Sequence, residues 1–510
     1  MRISLGLGAT VVMAHSWVCA VTLPSTTSAD VHRRDSTPPL TSHSSHSSRQ
    51  RHPKQVVDTI TSTSNVPGKA FDRFITIWLE NTDYAKAVGD PNMKKLAKQG
   101  ILLTNYHALT HASQGNYIAA AAGDYFGIET GDTYNIPSNV STIVDVLEDK
   151  GVSWGAYQED MPYTGFLSAE AVNTRNKANA YVRRHNPLVS FKSITENKAR
   201  LGRCKTHTAF LEELETGLLP QWVFYTPNMT NNGHDTSVTH ASHYASTFLP
   251  SLLSHPSLSN TLFLLTFDES HTYPVRNHVF ALLLGTAIPP HLRGTTDASY
   301  YDHYSQLATV QANWGLRHLG RYDAAANVFA VVAGETGDVV RVHPDLGGVW
   351  LNQSYPGAFH RKYFAPIPPP NLALRVNGRG ILPAIRKEWG ELWRGKGTVY
   401  DGSLEIPWRY KPQVYKLPSE EELKIVEGDI EEEKEEKEKE GGKGGKEEEE
   451  EEEMATMVKE SATATAAAAA VGGERTETAG VKGAAARERS AGSNGWGVGM
   501  AVVMVVVMGM

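Results

Sequence analysis

From about residue 70 to residue 320, short apolar runs alternate with longer amphipathic stretches. Phe74 to Leu79, Ile101 to Tyr106, Ser153 to Tyr157, Trp222 to Tyr225, Leu262 to Phe267 and Val279 to Leu284 are nearly continuous in apolar character and bounded by polar residues, which predicts buried strands. Residues 91–98, 116–122, 142–150, 241–253 and 303–318 carry helical spacing. Buried strands separated by helices predict an α/β fold with a mostly parallel central sheet flanked by helices on both faces. Ligands of such sheets bind beyond the carboxyl ends of the strands. No period of roughly 20 to 50 residues repeats, which argues against a solenoid.

Six polar clusters punctuate this pattern, four of them at the ends of apolar runs: Glu80-Asn81, Ser113-Gln114-Gly115-Asn116, His234-Asp235, Asp268-Glu269, Asn277-His278 and His303. Adjacent carboxylates at the end of a buried strand are costly unless paired or metal-bound, although Asp268 could equally cap a helix. Glu80-Asn81 repeats the arrangement after another strand, and two such loops on one sheet edge favour a hard or borderline divalent cation. Ser113 lies at a predicted helix start, where a nearby cation and the helix N–H groups would activate its hydroxyl; an ordinary N-cap is the plainer alternative. The absence of a Gly-x-Ser-x-Gly elbow argues against a lipase-type serine hydrolase. Gly233 permits a tight turn that presents His234 and Asp235 to a metal or a phosphate oxygen, and His303, opening a helix, is placed to donate to a leaving group.

The ends of the chain read differently from its middle. Residues 1–20 have the charge, apolar stretch and small-residue ending of a secretory signal peptide. Residues 21–68 form a Ser/Thr/Pro/His-rich arm expected to be disordered. The catalytic domain is expected over residues 69–410. Residues 420–453 hold 19 acidic residues and 6 lysines, a net of −13 against −7 for the whole chain. The overall acidity therefore sits in a tail, within a segment 411–493 that turns Ala/Gly/Ser-rich and is also expected to be disordered. Residues 494–510 are apolar, short for a span, and suit a GPI-attachment signal, which would place the protein at the cell surface through the outer membrane leaflet. With Cys19 in the signal, Cys204 stands alone and no internal disulfide can form. The basic residues show no cluster, which argues against a nucleic-acid partner. Glycosylation sequons occur at Asn139, Asn228 and Asn352.

Several strings in order resemble the phosphoesterase family of fungal and bacterial acid phosphatases and non-specific phospholipases C, itself related to the alkaline phosphatase superfamily. They are Glu80-Asn81-Thr-Asp-Tyr, His111-Ala-Ser-Gln-Gly-Asn-Tyr, Tyr157-Gln-Glu-Asp-Met-Pro, Arg184-His-Asn-Pro, Thr226-Pro-Asn-Met with His234-Asp235, Thr266-Phe-Asp-Glu and Tyr304-Ser305. The resemblance spans roughly residues 70 to 385. It implies an alkaline-phosphatase-like fold, a divalent metal held by Glu80, Asn81, Asp268 and Glu269, and Ser113 as nucleophile. It further implies phosphate binding by Asn116, extended here to Asp235 and His278, and contacts from His234 and His303 to phosphate or the leaving group. The chain departs from the family at Ala112 and Gly115, where Pro is frequent, so a looser loop is expected there. The implied activity is that of a secreted, surface-anchored acid phosphatase hydrolysing small phosphate monoesters through a phosphoserine intermediate. The alternatives are a phospholipase C acting on phospholipids and an inactive cell-wall binding protein.

Overall fold

A computed structural model of the chain describes residues 63–173, 179–392 and 398–404. The signal peptide, most of the N-terminal arm, the acidic tail and the apolar C-terminus lie outside the described residues. Among the described residues no helix is long and apolar enough to cross a membrane.

Eight strands build the central sheet: β1 (Arg73–Leu79), β2 (Ile101–Leu103), β3 (Trp154–Gln158), β4 (Cys204–Thr206), β5 (Trp222–Thr226), β6 (Thr261–Phe267), β7 (Ala281–Leu284) and β8 (Thr295–Asp297). Their spatial order is β8-β2-β7-β6-β1-β5-β3-β4. All pairs are parallel except those of β7, which runs antiparallel to both β6 and β2. The expected mostly parallel sheet is therefore present. Its middle strands β1 and β6 are almost entirely buried, which is why they read as continuous apolar runs rather than alternating ones.

The helices that matter for the site are α1 (Ser113–Ala122), α2 (Val238–Leu253) and α3 (His303–Trp314). Both α1 and α3 are buried on every face, so each carries little of the amphipathic signal of a surface helix. α3 ends at Trp314, where Gly315 with its φ of 61° reverses the chain, four residues short of the sequence expectation.

Four differences from the sequence reading have simple causes. The run from Ile101 to Tyr106 is broken: β2 ends at Leu103, and Tyr106–His107 pairs instead with Tyr301–Asp302 in a small separate sheet. The edge strands β4 and β8 are three residues each and partly polar, too short for a periodic signal. Residues 63–68, expected to belong to the arm, are placed against the folded domain. Ser64 Oγ donates to Gln221 Oε1 at 2.6 Å, and Gln221 also bonds both the N–H and the C=O of Val66 at 2.8 Å, so these residues are fastened to the sheet. Finally, the Asn352 sequon is not offered to solvent. It is buried, and its amide nitrogen donates to the carbonyls of Tyr273 and Val275. Cys204 is fully buried, with burial pushing its thiol up to about 12, as suits an inert packing residue.

Candidate active site

The register of the two central strands builds the site. Leu79 at the end of β1 lies opposite Phe267 at the end of β6, so Glu80-Asn81 and Asp268-Glu269 leave the sheet side by side. The Asp268 N–H bonds the Leu79 carbonyl at 3.0 Å, and the Asn81 N–H reaches Asp268 Oδ1 at 3.3 Å. No helix follows Asp268, so the capping alternative falls away. Glu80, Asp268 and Glu269 are all almost completely buried.

Ser113 enters this cluster from the first residue of α1. Its Oγ lies 3.0 Å from Glu269 Oε1, 3.3 Å from Glu80 Oε2 and 3.5 Å from Asn81 Oδ1. The hydroxyl makes no helix-capping bond; it is turned to the carboxylates instead. One hydroxyl carries one proton, so it can satisfy only one of these three oxygens. Asp268 Oδ2 is buried without a hydrogen-bond partner. Turning the Asn81 amide lets its nitrogen donate to Asp268 Oδ1 and Glu80 Oε2 at 3.1 and 3.0 Å, which relieves part of the crowding but leaves Asp268 Oδ2 bare.

The electrostatics carry the same signature. Burial, and then the Asp268 charge, push Glu80 well above the usual carboxylate range, against a 2.5 Å bond from the Tyr117 hydroxyl. Burial, then Glu269, raise Asp268 to about 7, and burial raises Glu269 to about 8. Three carboxylates thus share a dry site with too few donors, an arrangement that fits an oxygen-preferring cation. Among the described residues no group of three or more His, Cys, Asp or Glu is drawn together as a preformed metal centre; the carboxylates meet around the Ser113 hydroxyl.

Residues 70–317 match the model of the Phosphoesterase family. A phosphate-repressible acid phosphatase of Penicillium chrysogenum is 46% identical over 348 residues, covering 68% of this chain and 83% of the relative. An acid phosphatase of Aspergillus fumigatus is 45% identical over 351 residues, covering 68% and 77%. This chain belongs to the Phosphoesterase family. It is a phosphoric ester hydrolase. Among solved structures, a Vibrio parahaemolyticus protein of the alkaline phosphatase superfamily aligns over 51% of this phosphoesterase and 71% of its own chain, at 13% identity and a TM-score of 0.33.

The remaining expected site residues of the phosphoesterase divide. His234 stands at the rim, its Nδ1 2.8 Å from Asp235 Oδ1 and its ring 6.1 Å from that of His185. Gly233, at φ 104°, makes the turn that presents it, and the Asn232 carbonyl ties this loop to the Glu80 N–H at 2.9 Å. Asp235 therefore orients an imidazole, and its Oδ1 is turned to His234 rather than offered to a phosphate. His303 is also placed differently from expectation. It is fully buried, stacked on Trp78, with Nε2 donating to the Asp268 carbonyl at 2.7 Å and Nδ1 facing the Tyr106 hydroxyl at 3.2 Å. Burial lowers it to about 3, and its Nε2–H is committed to the Asp268 carbonyl, so it is poorly placed to protonate a leaving group. It buttresses the Asp268 backbone. His278 commits Nε2 to the Thr104 carbonyl at 3.0 Å and stacks on Tyr84, leaving its polar edge away from the carboxylates.

Asn116 and Asn277 act as clamps. Asn116 Oδ1 accepts from the N–H groups of Leu109 and Thr110 at 2.8 and 3.3 Å, and its Nδ2 donates to the Thr110 carbonyl at 2.8 Å. Asn277 Nδ2 reaches the same carbonyl at 3.0 Å. The phosphate-binding role expected of Asn116 thus meets an amide whose oxygen and one N–H are committed to the backbone. The loop before Ser113 is accordingly held, not loose. Gly115 has no room for a side chain, since a Cβ there would lie 2.4 Å from the Thr110 methyl. Replacing Asn116 with leucine is expected to cost about 2–3 kcal/mol by stranding buried backbone groups, read as a lower midpoint in urea unfolding, and to lower kcat more than it raises KM because Ser113 loses its seat.

Five neighbours escaped the sequence reading of roles. His111 Nδ1 lies 2.9 Å from Glu269 Oε2 without the alignment of a hydrogen bond, and burial lowers the ring to about 4. His185 Nε2 stands similarly 3.1 Å from Glu80 Oε1, with burial lowering it well below its ordinary range. Tyr117 donates to Glu80, half-buried Arg184 offsets part of the Glu80 rise, and Tyr273 stacks on His111.

Proposed function

We propose that this phosphoesterase is an acid phosphatase that hydrolyses phosphate monoesters with Ser113 as its nucleophile. The observation that carries the reading is the Ser113 hydroxyl, sited at a helix start and ringed by oxygens of Glu80, Asn81 and Glu269. That the fungal relatives are acid phosphatases supports the substrate class.

Glu80, Asn81, Asp268 and Glu269 would hold a divalent metal. Such a cation supplies positive charge that favours the ionised hydroxyl beside it and offsets charge gathering on the phosphoryl oxygens. Ser113 Oγ attacks phosphorus in line; a P–O bond to serine forms as the ester P–O bond breaks. His234, steadied by Asp235, is the group at the rim that would donate from Nε2 to the departing alkoxide. Water then hydrolyses the phosphoserine, releasing phosphate and restoring the hydroxyl. His303 takes part only by holding the Asp268 backbone.

The signal-like N-terminus and the apolar C-terminus support secretion and a lipid anchor at the cell surface, and the partly exposed sequon at Asn139 would carry a glycan. The test is turnover of p-nitrophenyl phosphate and phosphatidylcholine between pH 4 and 9, with and without a chelator, on secreted protein and on intact cells treated with phosphatidylinositol-specific phospholipase. Chelator-sensitive release of p-nitrophenol, freed from cells by the phospholipase, is expected. Cleavage of phosphatidylcholine alone would transfer the reading to a phospholipase C, and no turnover of either would leave a binding protein. Activity that survives chelation would remove the metal, and activity that stays on treated cells would remove the lipid anchor.

A further inference from the structure

The segment 270–277 beside the carboxylates combines exposure with rigidity. Tyr273 lays one face on the His111 ring, at 4.0 Å between centroids and 22° between planes, yet Tyr273 as a whole is 51% exposed and Val275 is 41% exposed. His111 is itself buried and stands against Glu269, two residues before Ser113. The inner face of Tyr273 is thus covered, while the rest of the ring is open and stands close enough to Glu269 and Asp268, the carboxylates of the Ser113 cluster, to feel their charge.

An exposed aromatic on a slack loop would be unremarkable, but this loop is fastened along its length. The Asn352 amide nitrogen bonds the carbonyls of Tyr273 and Val275 at 2.8 and 3.2 Å. The N–H and hydroxyl of Thr272 both bond the Asp83 carboxylate, at 2.8 and 2.7 Å. The Ser270 N–H bonds Asn277 Oδ1 at 2.8 Å, and Asn277 is the residue that also clamps Thr110. The loop carrying the open ring is therefore tied to the loop carrying Ser113. A surface ordered in advance loses little entropy when a ligand settles on it, and an aromatic face pairs best with another flat ring.

From this geometry we infer that Tyr273 is a specificity-determining residue, a stacking platform for the leaving group that selects aryl over alkyl phosphate monoesters. The inference rests on the phosphatase reading above. Val275, also exposed, lies two residues further along the same fastened loop. The platform touches the part of the ester that departs, so its contribution differs between substrates that share the phosphoryl group.

The test compares kcat/KM for p-nitrophenyl phosphate and glycerol 2-phosphate in the wild-type protein, Tyr273→Ala and Tyr273→Phe. Stacking of one ring pair implies a roughly three- to tenfold loss of aryl preference in Tyr273→Ala, carried by KM, with the preference kept in Tyr273→Phe. A Tyr273→Ala protein that loses both substrates equally would show that the ring only supports His111 and would overturn the inference. An unchanged ratio would overturn it as well. A wild-type protein that hydrolyses neither ester would overturn the phosphatase reading itself, an outcome distinct from either of these.

Discussion

Ser113→Ala is expected to reduce turnover of p-nitrophenyl phosphate on the order of 10⁴-fold or more, the scale met when a covalent nucleophile is removed and only binding remains. Folding should be unaffected. The hydroxyl satisfies at most one of the three oxygens around it, and α1 is begun by Ala112 without any side-chain cap, so its removal breaks no structural bond on which the helix depends. Circular dichroism and the urea midpoint should therefore match the parent protein. Acid quenching during turnover should trap phosphate on the parent protein and none on the variant, and peptide mapping should locate it at residue 113. A variant that kept even a tenth of the parent rate would remove Ser113 from the mechanism and leave a water molecule as the attacking group. Equal loss of activity and of unfolding midpoint would instead mark Ser113 as a packing residue.

The site was partly legible before folding, and the boundary has a physical explanation. Glu80-Asn81 and Asp268-Glu269 stand out because buried parallel strands are continuous apolar runs, and a carboxylate closing such a run breaks the pattern abruptly. That the two pairs meet follows from the Leu79–Phe267 register, which parallel neighbours in an α/β sheet make available. Ser113 is visible because a helix begins there.

His111, Tyr117 and His185 are different. Each acts by tertiary approach to a carboxylate across an unrelated stretch of chain, and no local period records that approach. His303 shows the converse. A histidine opening a helix reads as an accessible acid, but α3 is buried on all sides, and burial lowers the ring to about 3. The phosphate-binding role of Asn116 is what the family resemblance implies; its acceptor and one of its two N–H groups are engaged by Leu109 and Thr110, a fact of loop geometry. The three-residue strands β4 and β8 lie below the length at which alternation can be recognised.

Asp268→Asn is the second large expectation, and it should move activity and stability in opposite directions. In the metal-free protein, burial and mutual repulsion raise Asp268 to about 7 and Glu269 to about 8, while unfolded carboxyls titrate near 4. Between about pH 4 and pH 8 the folded state therefore binds protons that the unfolded chain has released, so stability is greatest below that window and falls as pH rises through it. The metal-free parent should accordingly melt at a higher temperature at pH 5 than at pH 8. Asparagine keeps an acceptor for the Asn81 and Glu269 N–H groups that now bond Asp268 Oδ1, and gives the bare Oδ2 position a donor that can face the neighbouring oxygens. It removes one charge from the cluster. The metal-free variant should melt a few degrees above the metal-free parent at pH 8, at a scale of roughly 3 °C per kcal/mol, with a flatter pH dependence. Added divalent metal should reverse the order. Cation binding needs deprotonated carboxylates, so it should stabilise the parent increasingly with pH and the variant far less, and activity in the variant should fall by about 10²-fold or more through loss of charge stabilisation. Scanning calorimetry at pH 5 and pH 8, with chelator and with metal, separates these cases. A parent whose melting temperature is indifferent to both pH and metal would show that Asp268 neither strains the empty cluster nor serves a cation.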